Sequence, residues 1–297
     1  MKITINEVVT RDGFQLENKI PSIAYKLNLI NDLIDAGIKK FELTSFVHPK
    51  YVPQMADADE LLEKVQRRSD VTFSGLALNE KGVERARKAK VDELNLVFSI
   101  SETHNRKNAN KTVSESMDFV KKIMKDESLP VNVAISTAFG CPFEGLYKME
   151  QLFPVIESMM EYNPNSIVLA DTTGMADPRQ VEETCYSIKS KWPSLKLGLH
   201  LHNTRGMGLA NVLAGIRGGV TDFDSALGGI GGCPFAPGAT GNICTEDTVH
   251  MLEQMGYETG INIDKLIAAS KGLEKELEKT LPGQIMKAGK TTDIHPA

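Results

Sequence analysis

Short runs of β-branched and aromatic residues recur along the chain, separated by amphipathic stretches. Eight of these runs predict strands: ITINEVV (3–9), KKFELTSF (39–46), VTFSGLAL (71–78), ELNLVFS (93–99), VNVAIST (131–137), SIVLAD (166–171), KLGLHLH (196–202) and TDFDSAL (221–227). The stretch PSIAYKLNLINDLIDAG predicts a helix. Pro21 lies near its start, Gly37 just after its end, and Leu27, Ile30 and Ile34 share one face. Further helices are predicted near 56–68, 79–89, 111–126, 146–161, 177–190, 204–217 and 242–256. Eight βα units in about 250 residues predict an α/β fold of one class, a single TIM-type (β/α)8 barrel. A doubly wound sheet normally uses fewer strands and a switch point. An additional helix is expected over 261–279, so a catalytic barrel with this C-terminal helical region spans 1–280. Residues 281–297 are expected to form a tail, irregular over AGKTTDIHPA, with no second domain.

Composition narrows the function classes. The chain has 297 residues, 41% of them hydrophobic and 25% charged, which suits one large soluble core. A formal net charge of -5 argues against a general nucleic-acid binder. No apolar run approaches the roughly 20 residues that span a bilayer, so no membrane role is expected. MKITINEVVTRDG lacks the apolar core of a signal peptide and the Arg/Ser bias of a transit helix. The cysteines at 141, 185, 233 and 244 include no CxxC pair, which disfavours a zinc knot. Free thiols in a reducing, cytoplasmic compartment are the expectation.

The candidate chemistry lies at predicted strand ends. In Leu197-Gly198-Leu199-His200-Leu201-His202 the leucines alternate with Gly198, His200 and His202. Alternation sends the leucines outward against helices and the two imidazoles inward, near the C-terminal mouth where barrel sites form. The pair reads equally as two metal ligands or as hydrogen-bonded histidines capping the core. Thr10-Arg11-Asp12-Gly13 ends the first strand. Asp12 can supply an oxygen ligand and Arg11 a cation for a substrate oxygen, or the two can form a salt-bridged loop. Glu42 is expected to face inward with Thr44, opposite Phe41 and Leu43, and its buried carboxylate calls for a partner such as Arg11. A mixed oxygen and imidazole site suits Mg²⁺ or Mn²⁺ better than structural zinc.

GGIGGCPFAPGATGN, from Gly228 to Asn242, holds six glycines, two prolines and Cys233. Glycine and proline disfavour helix and strand alike, so this segment predicts a close-fitting loop around Cys233. Asn242 closes the loop and can add an amide oxygen to a metal site or cap the following helix. Asp171 ends the sixth predicted strand, within LADTTG, and can hold a ligand or another catalytic side chain or cap the next turn. Lys50, Arg106, Lys107 and Lys111 fall on plausible C-terminal loops and can meet phosphates or remain solvated.

These segments together resemble the 3-hydroxy-3-methylglutaryl-CoA lyase family, within the DRE-type metal-dependent lyases and condensing enzymes. The resemblance rests on the glycine-rich loop with TRDGFQLEN (10–18), FELTSFVHPKYVPQMAD (41–57), LADTTG (169–174) and HLHNTRGMG (200–208), and covers essentially the whole barrel. It implies that Asp12, His200 and His202 bind a divalent cation, with Asn242 in or beside the shell. It implies that Arg11 binds substrate and stabilises an enolate oxygen, that Glu42 orients it, and that Cys233 is a mobile catalytic thiol. Asp12 or His200 would take the first proton. The implied substrate is 3-hydroxy-3-methylglutaryl-CoA, cleaved to acetyl-CoA and acetoacetate in leucine degradation or ketone-body metabolism, and the implied assembly is a homodimer. Asn203 stands where many relatives have Asp, no cysteine follows Cys244, and the terminal HPA differs from an SKL-type address. A condensing enzyme of the same group, or a non-catalytic scaffold on an inherited barrel, are the competing readings.

Overall fold

The computed structural model describes residues 1–126, 128–232 and 241–294. Its strands are β1 (Thr4–Glu7), β2 (Lys40–Ser45), β3 (Thr72–Ala77), β4 (Glu93–Ser99), β5 (Val131–Ser136), the short hairpin β6 (Gly140–Cys141) and β7 (Gly145–Leu146), then β8 (Ser166–Asp171), β9 (Leu197–Leu201) and β10 (Asp222–Ser225). Eight of them close in the order β1-β10-β9-β8-β5-β4-β3-β2. Every barrel pair is parallel, from Thr4 opposite Asp222 round to Glu7 opposite Phe41. The predicted barrel is the observed one.

The helices are α1 (Ile23–Ala36), α2 (Ala58–Lys64), α3 (Glu80–Lys88), α4 (Glu102–Ala109), α5 (Val113–Asp126), α6 (Met149–Met160), α7 (Pro178–Lys191), α8 (Gly208–Arg217), α9 (Thr245–Gln254), α10 (Ile263–Leu277) and the short α11 (Ile285–Ala288). In α1 the Ser22 side chain caps the start by accepting from Tyr25 N, and Gly37 ends the helix at φ 112°. Its buried stripe is Leu29, Ile30, Leu33 and Ile34, with Leu27 only partly buried at the flank. Each such side chain contributes about 1.5–3 kcal/mol by leaving water. Residues 281–294 do not run free of the barrel: Leu281 and Met286 are buried.

The strands divide two environments. Leu197, Leu199 and Leu201 are buried on the helix-facing side, as alternation predicts. The inward side is different. Bulky branched residues usually fill a barrel of this kind, yet here Asn6, Glu42, Asn95, Asn132, Ser166 and His200 border one internal cavity. On β2 the alternation breaks. The register with β3 shifts between Glu42 and Thr44, a β-bulge, so Ser45 rather than Thr44 joins Glu42 on the cavity. Thr44 instead turns its hydroxyl to Met55 Sδ at 3.7 Å.

Candidate functional site

The first strand stops at Glu7, and Val9–Gly13 forms a single π-helical turn that carries Arg11 and Asp12 over the barrel mouth. Glu7 anchors this turn from below. Its carboxyl accepts from Val9 N (2.9 Å), Leu227 N (3.0 Å) and Thr245 Oγ1 (2.8 Å). Burial pushes this carboxyl up to about 8. One side chain thus ties together the turn bearing Arg11, the root of the glycine-rich loop and the start of α9.

Arg11 lies between two carboxylates. Its Nε donates to Glu42 Oε2 at 2.7 Å, Nη2 reaches the same oxygen at 2.5 Å, and Nη1 meets Asp12 Oδ1 at 2.5 Å. Gln15 Nε2 adds a second donor to Asp12 Oδ1 at 2.7 Å. Asp12 Oδ2 is therefore the oxygen that faces the histidines: it is 3.6 Å from His202 Nε2 and 3.9 Å from His200 Nε2. Burial opposes ionisation of Asp12, but the Arg11 guanidinium and the two imidazoles hold its carboxyl far below the usual carboxylate range.

The histidines come from β9 and the bridge residue just beyond it. Their Nε2 atoms are 3.1 Å apart. His200 Nδ1 lies 3.0 Å from Asp224 Oδ2 on the neighbouring β10. A carboxylate accepts only, so Nδ1 carries the proton and the Nε2 lone pair points to Asp12 and His202. Burial lowers the proton affinity of His200, but Asp224 and Asp12 outweigh it and raise the pKa. Asp12, His200 and His202 each offer a ligand atom, all within 4.8 Å of one another and all buried.

Asn242 reaches the same cluster from the far side of the glycine-rich loop. Its Nδ2 donates to Asp12 Oδ2 (2.7 Å) and to Ile230 O (3.0 Å), while its Oδ1 is buried with no partner. It does not cap α9, whose N-cap position is Cys244. Gly231, at φ +100°, passes so close that a Cβ there would lie 2.5 Å from Asn242 Nδ2.

The site opens into a cavity of about 1010 Å³ that includes Arg11, Asp12, Glu42, His200, His202 and Gly232 in its wall. Cys233 lies outside the described residues. Cys141, Cys185 and Cys244 are free and buried. Lys107 and Lys111 border the cavity, whereas Lys50 and Arg106 do not, and Arg106 pairs with Glu102 at 2.8 Å. Asp171 serves its own turn: Oδ1 accepts from Met175 N and Ala176 N. Asn203 Oδ1 accepts from Gly208 N at the start of α8.

Sequence reasoning missed Asp224, Gln15 and Glu7. The signal for Asp224 was present, because Asp222 and Asp224 alternate on β10 as Gly198 and His200 do on β9. Glu7 carried none, since a single Glu inside an apolar run does not announce three backbone and hydroxyl donors.

The HMGL-like family model matches residues 2–272. The chain is 40% identical over 294 residues to the hydroxymethylglutaryl-CoA lyase YngG of Bacillus subtilis, covering 98% of each. It is 41% identical over 301 residues to the (R)-citramalyl-CoA lyase of Chloroflexus aurantiacus, covering 97% of this chain and 95% of that one. An HMG-CoA lyase from Acinetobacter baumannii, solved in complex with coenzyme A and 3-methylmalate, superposes with a TM-score of 0.95 at 43% identity, covering 100% of this chain and 98% of the other.

Proposed function

Because the chain belongs to the HMGL-like family, we propose that it is a divalent-metal-dependent carbon–carbon lyase that cleaves 3-hydroxy-3-methylglutaryl-CoA to acetyl-CoA and acetoacetate. The observation that carries this reading is the convergence of Asp12, His200 and His202 beside the Arg11 guanidinium at the mouth of one cavity.

The donor set fits a cation. One ionised carboxylate and two imidazoles point ligand atoms at a common centre, and the unpartnered Asn242 Oδ1 lies beside them. Asp12, His200 and His202 would hold the ion, and Asn242 would join if its amide turned. Mixed oxygen and nitrogen donors suit Mg²⁺ or Mn²⁺. When bound, such an ion supplies Lewis-acid polarisation of the substrate's hydroxyl and neighbouring oxygen.

The chain's own residues supply the rest. Of the two candidate bases, Asp12 is the one we assign to take the proton of the C3 hydroxyl, because His200 keeps its Nδ1 proton on Asp224 and would give its Nε2 lone pair to the ion. The C2–C3 bond then breaks. Its electron pair moves into the thioester enolate, and the C3 oxygen becomes the ketone of acetoacetate. Arg11, held by Glu42, meets the enolate oxygen. A proton delivered to C2 completes acetyl-CoA, and the resemblance assigns that delivery to Cys233. Lys107 and Lys111, which border the cavity, would be candidates to meet CoA phosphates.

We further assign a homodimer in the cytoplasm, acting in leucine degradation or ketone-body metabolism. No helix among the described residues is long and apolar enough to cross a membrane. The similarity to a citramalyl-CoA lyase favours one second reading, the same cut in citramalyl-CoA with release of pyruvate. Product analysis separates them. Metal-stripped protein resupplied with Mg²⁺ or Mn²⁺ is expected to yield equal amounts of acetyl-CoA and acetoacetate from 3-hydroxy-3-methylglutaryl-CoA. Faster release of pyruvate from citramalyl-CoA would replace the substrate assignment, and turnover of neither would end the lyase reading.

A further inference from the structure

A line of polar side chains runs down the barrel interior, below the site and outside the chemistry just described. Asn95 on β4 and Asn132 on β5 are direct neighbours in register, and Ser166 on β8 is the next. Asn132 Nδ2 donates to Glu93 Oε2 at 2.7 Å and to Asn95 Oδ1 at 2.9 Å. Asn165 Nδ2 (2.8 Å) and Ser166 Oγ (2.7 Å) both donate to Asn132 Oδ1. Glu93, the first residue of β4, is paired with Lys40, the first of β2, at 3.1 Å. At the upper end Asn95 Nδ2 donates to Glu42 Oε1 at 3.0 Å and to Ser74 Oγ at 3.1 Å. Ser74 is itself fixed by donating to Phe41 O at 3.0 Å.

The polarity of this line is determined by its ends. Glu93 and Glu42 accept only. Asn132 must therefore present Nδ2 to Glu93, and its Oδ1 receives Asn165 and Ser166. Asn95 must present Nδ2 to Glu42, and its Oδ1 receives Asn132. Neither amide can flip without leaving a donor facing a donor in a partly dry interior, at a cost comparable to a lost hydrogen bond. Glu42 is thus gripped at Oε1 from below, while Oε2 alone takes Arg11 Nε and Nη2.

We propose that Asn95 is a positioning residue for the cleavage reaction, acting through Glu42 to fix the direction of the Arg11 guanidinium. The proposal rests on the reading of Arg11 as the group that meets the enolate oxygen. Without the Asn95 amide, Glu42 is free to turn its carboxylate, and Arg11 turns with it. A misplacement of about 1 Å at a reacting centre costs on the order of 100-fold in rate. A loosened Arg11 that still visits its position is expected to cost about tenfold.

The experiment is a double-mutant cycle on the intact, metal-loaded enzyme. Asn95→Leu keeps the number and branching of the side-chain heavy atoms and removes both N–H donors. Asn95→Ser is the second variant, small enough for water to enter if leucine disrupts folding. Steady-state kcat and KM, with Tm as a fold control, are measured in the wild-type and Glu42→Gln backgrounds. The expected result is a kcat lowered about tenfold with KM within about twofold, and a loss below about twofold once Glu42 is Gln, because coupled residues are non-additive. Equal losses in both backgrounds, or a fall in Tm with unchanged kcat, overturn the proposal. Arg11→Met separates the two readings. Wild-type turnover in Arg11→Met sinks the role of Arg11 and Asn95 with it. A crippled Arg11→Met beside an unimpaired Asn95→Leu sinks Asn95 alone.

Discussion

Asp224→Ala tests whether the seventh and eighth barrel strands build the cation site together. The change removes the 3.0 Å bond to His200 Nδ1 and the charge behind it. A hydrogen bond to a charged group is worth about 1.5–3 kcal/mol when buried. Here Asp224 and His200 keep 14% and 10% of their side-chain surface exposed, so water replaces part of the loss. The lower half of that range, about 1.5–2 kcal/mol, corresponds to metal binding weakened roughly 10- to 30-fold at about 1.4 kcal/mol per decade. Outer-shell partners of ligating histidines carry effects of about this size. Asp224 also raises the proton affinity of His200, so its loss weakens proton competition at low pH and masks the effect. Calorimetric titration of metal-stripped protein with Mn²⁺ therefore belongs near pH 8.5, about two units above the usual imidazole range. Asp224→Asn keeps an amide oxygen for the Nδ1 proton and is expected to lose only a few-fold. A Kd for Mn²⁺ within about twofold of wild type in Asp224→Ala would refute the reasoning, because His200 would then need no fixed tautomer to bind.

Three further outcomes are expected. Arg11→Met lowers kcat by about 10²–10³ with little change in KM, as removal of an oxyanion donor does; a raised KM at unchanged kcat contradicts it. Gly231→Ala forces a left-handed backbone on alanine and presses its Cβ against Asn242 Nδ2 and, at 2.7 Å, Asp12 O, so kcat falls by at least about tenfold and Mn²⁺ binds more weakly, whereas wild-type kinetics would show that the turn yields freely. Glu7 has a folded pKa raised from 4.5 to about 8, so the unfolded chain loses its proton first and this group's stabilisation declines as pH rises through that window; Tm measured without added metal should fall from about pH 5 to 8, and a Glu7→Gln variant with the same slope would exclude a neutral Glu7.

Alternation made the strand carrying the histidines readable. Three leucines outward and Gly198, His200 and His202 inward is a pattern that a barrel wall imposes directly. The same rule failed on β2, where one inserted residue after Glu42 turned Thr44 away and Ser45 in. Helix α4 was not foreseen because ETHNRKNA is polar on every side. It is held by the Ser101 cap and an Asn110 at φ 54°, and no apolar stripe marks it. The turn bearing Arg11 and Asp12 was legible as chemistry but not as shape. Its π-helical form depends on Glu7 and Leu227, which are 220 positions apart in the chain. Asn95 and Asn132 gave no local sign either, since an amide becomes a device only when its neighbours fix which way it faces.

Asp12 belongs to the opening turn of the protein and Asn242 to the region after its last barrel strand, yet they share a 2.7 Å bond. The proposed cation site therefore straddles the seam where β1 meets β10. During synthesis nothing resembling it can exist until almost the entire ring has been made. Once the ring is complete, an ion bound there would act as a clasp on the closure, and any tendency of the first and last staves to part would be opposed by mass action. Metal supply would then govern not only turnover but how firmly the protein stays shut.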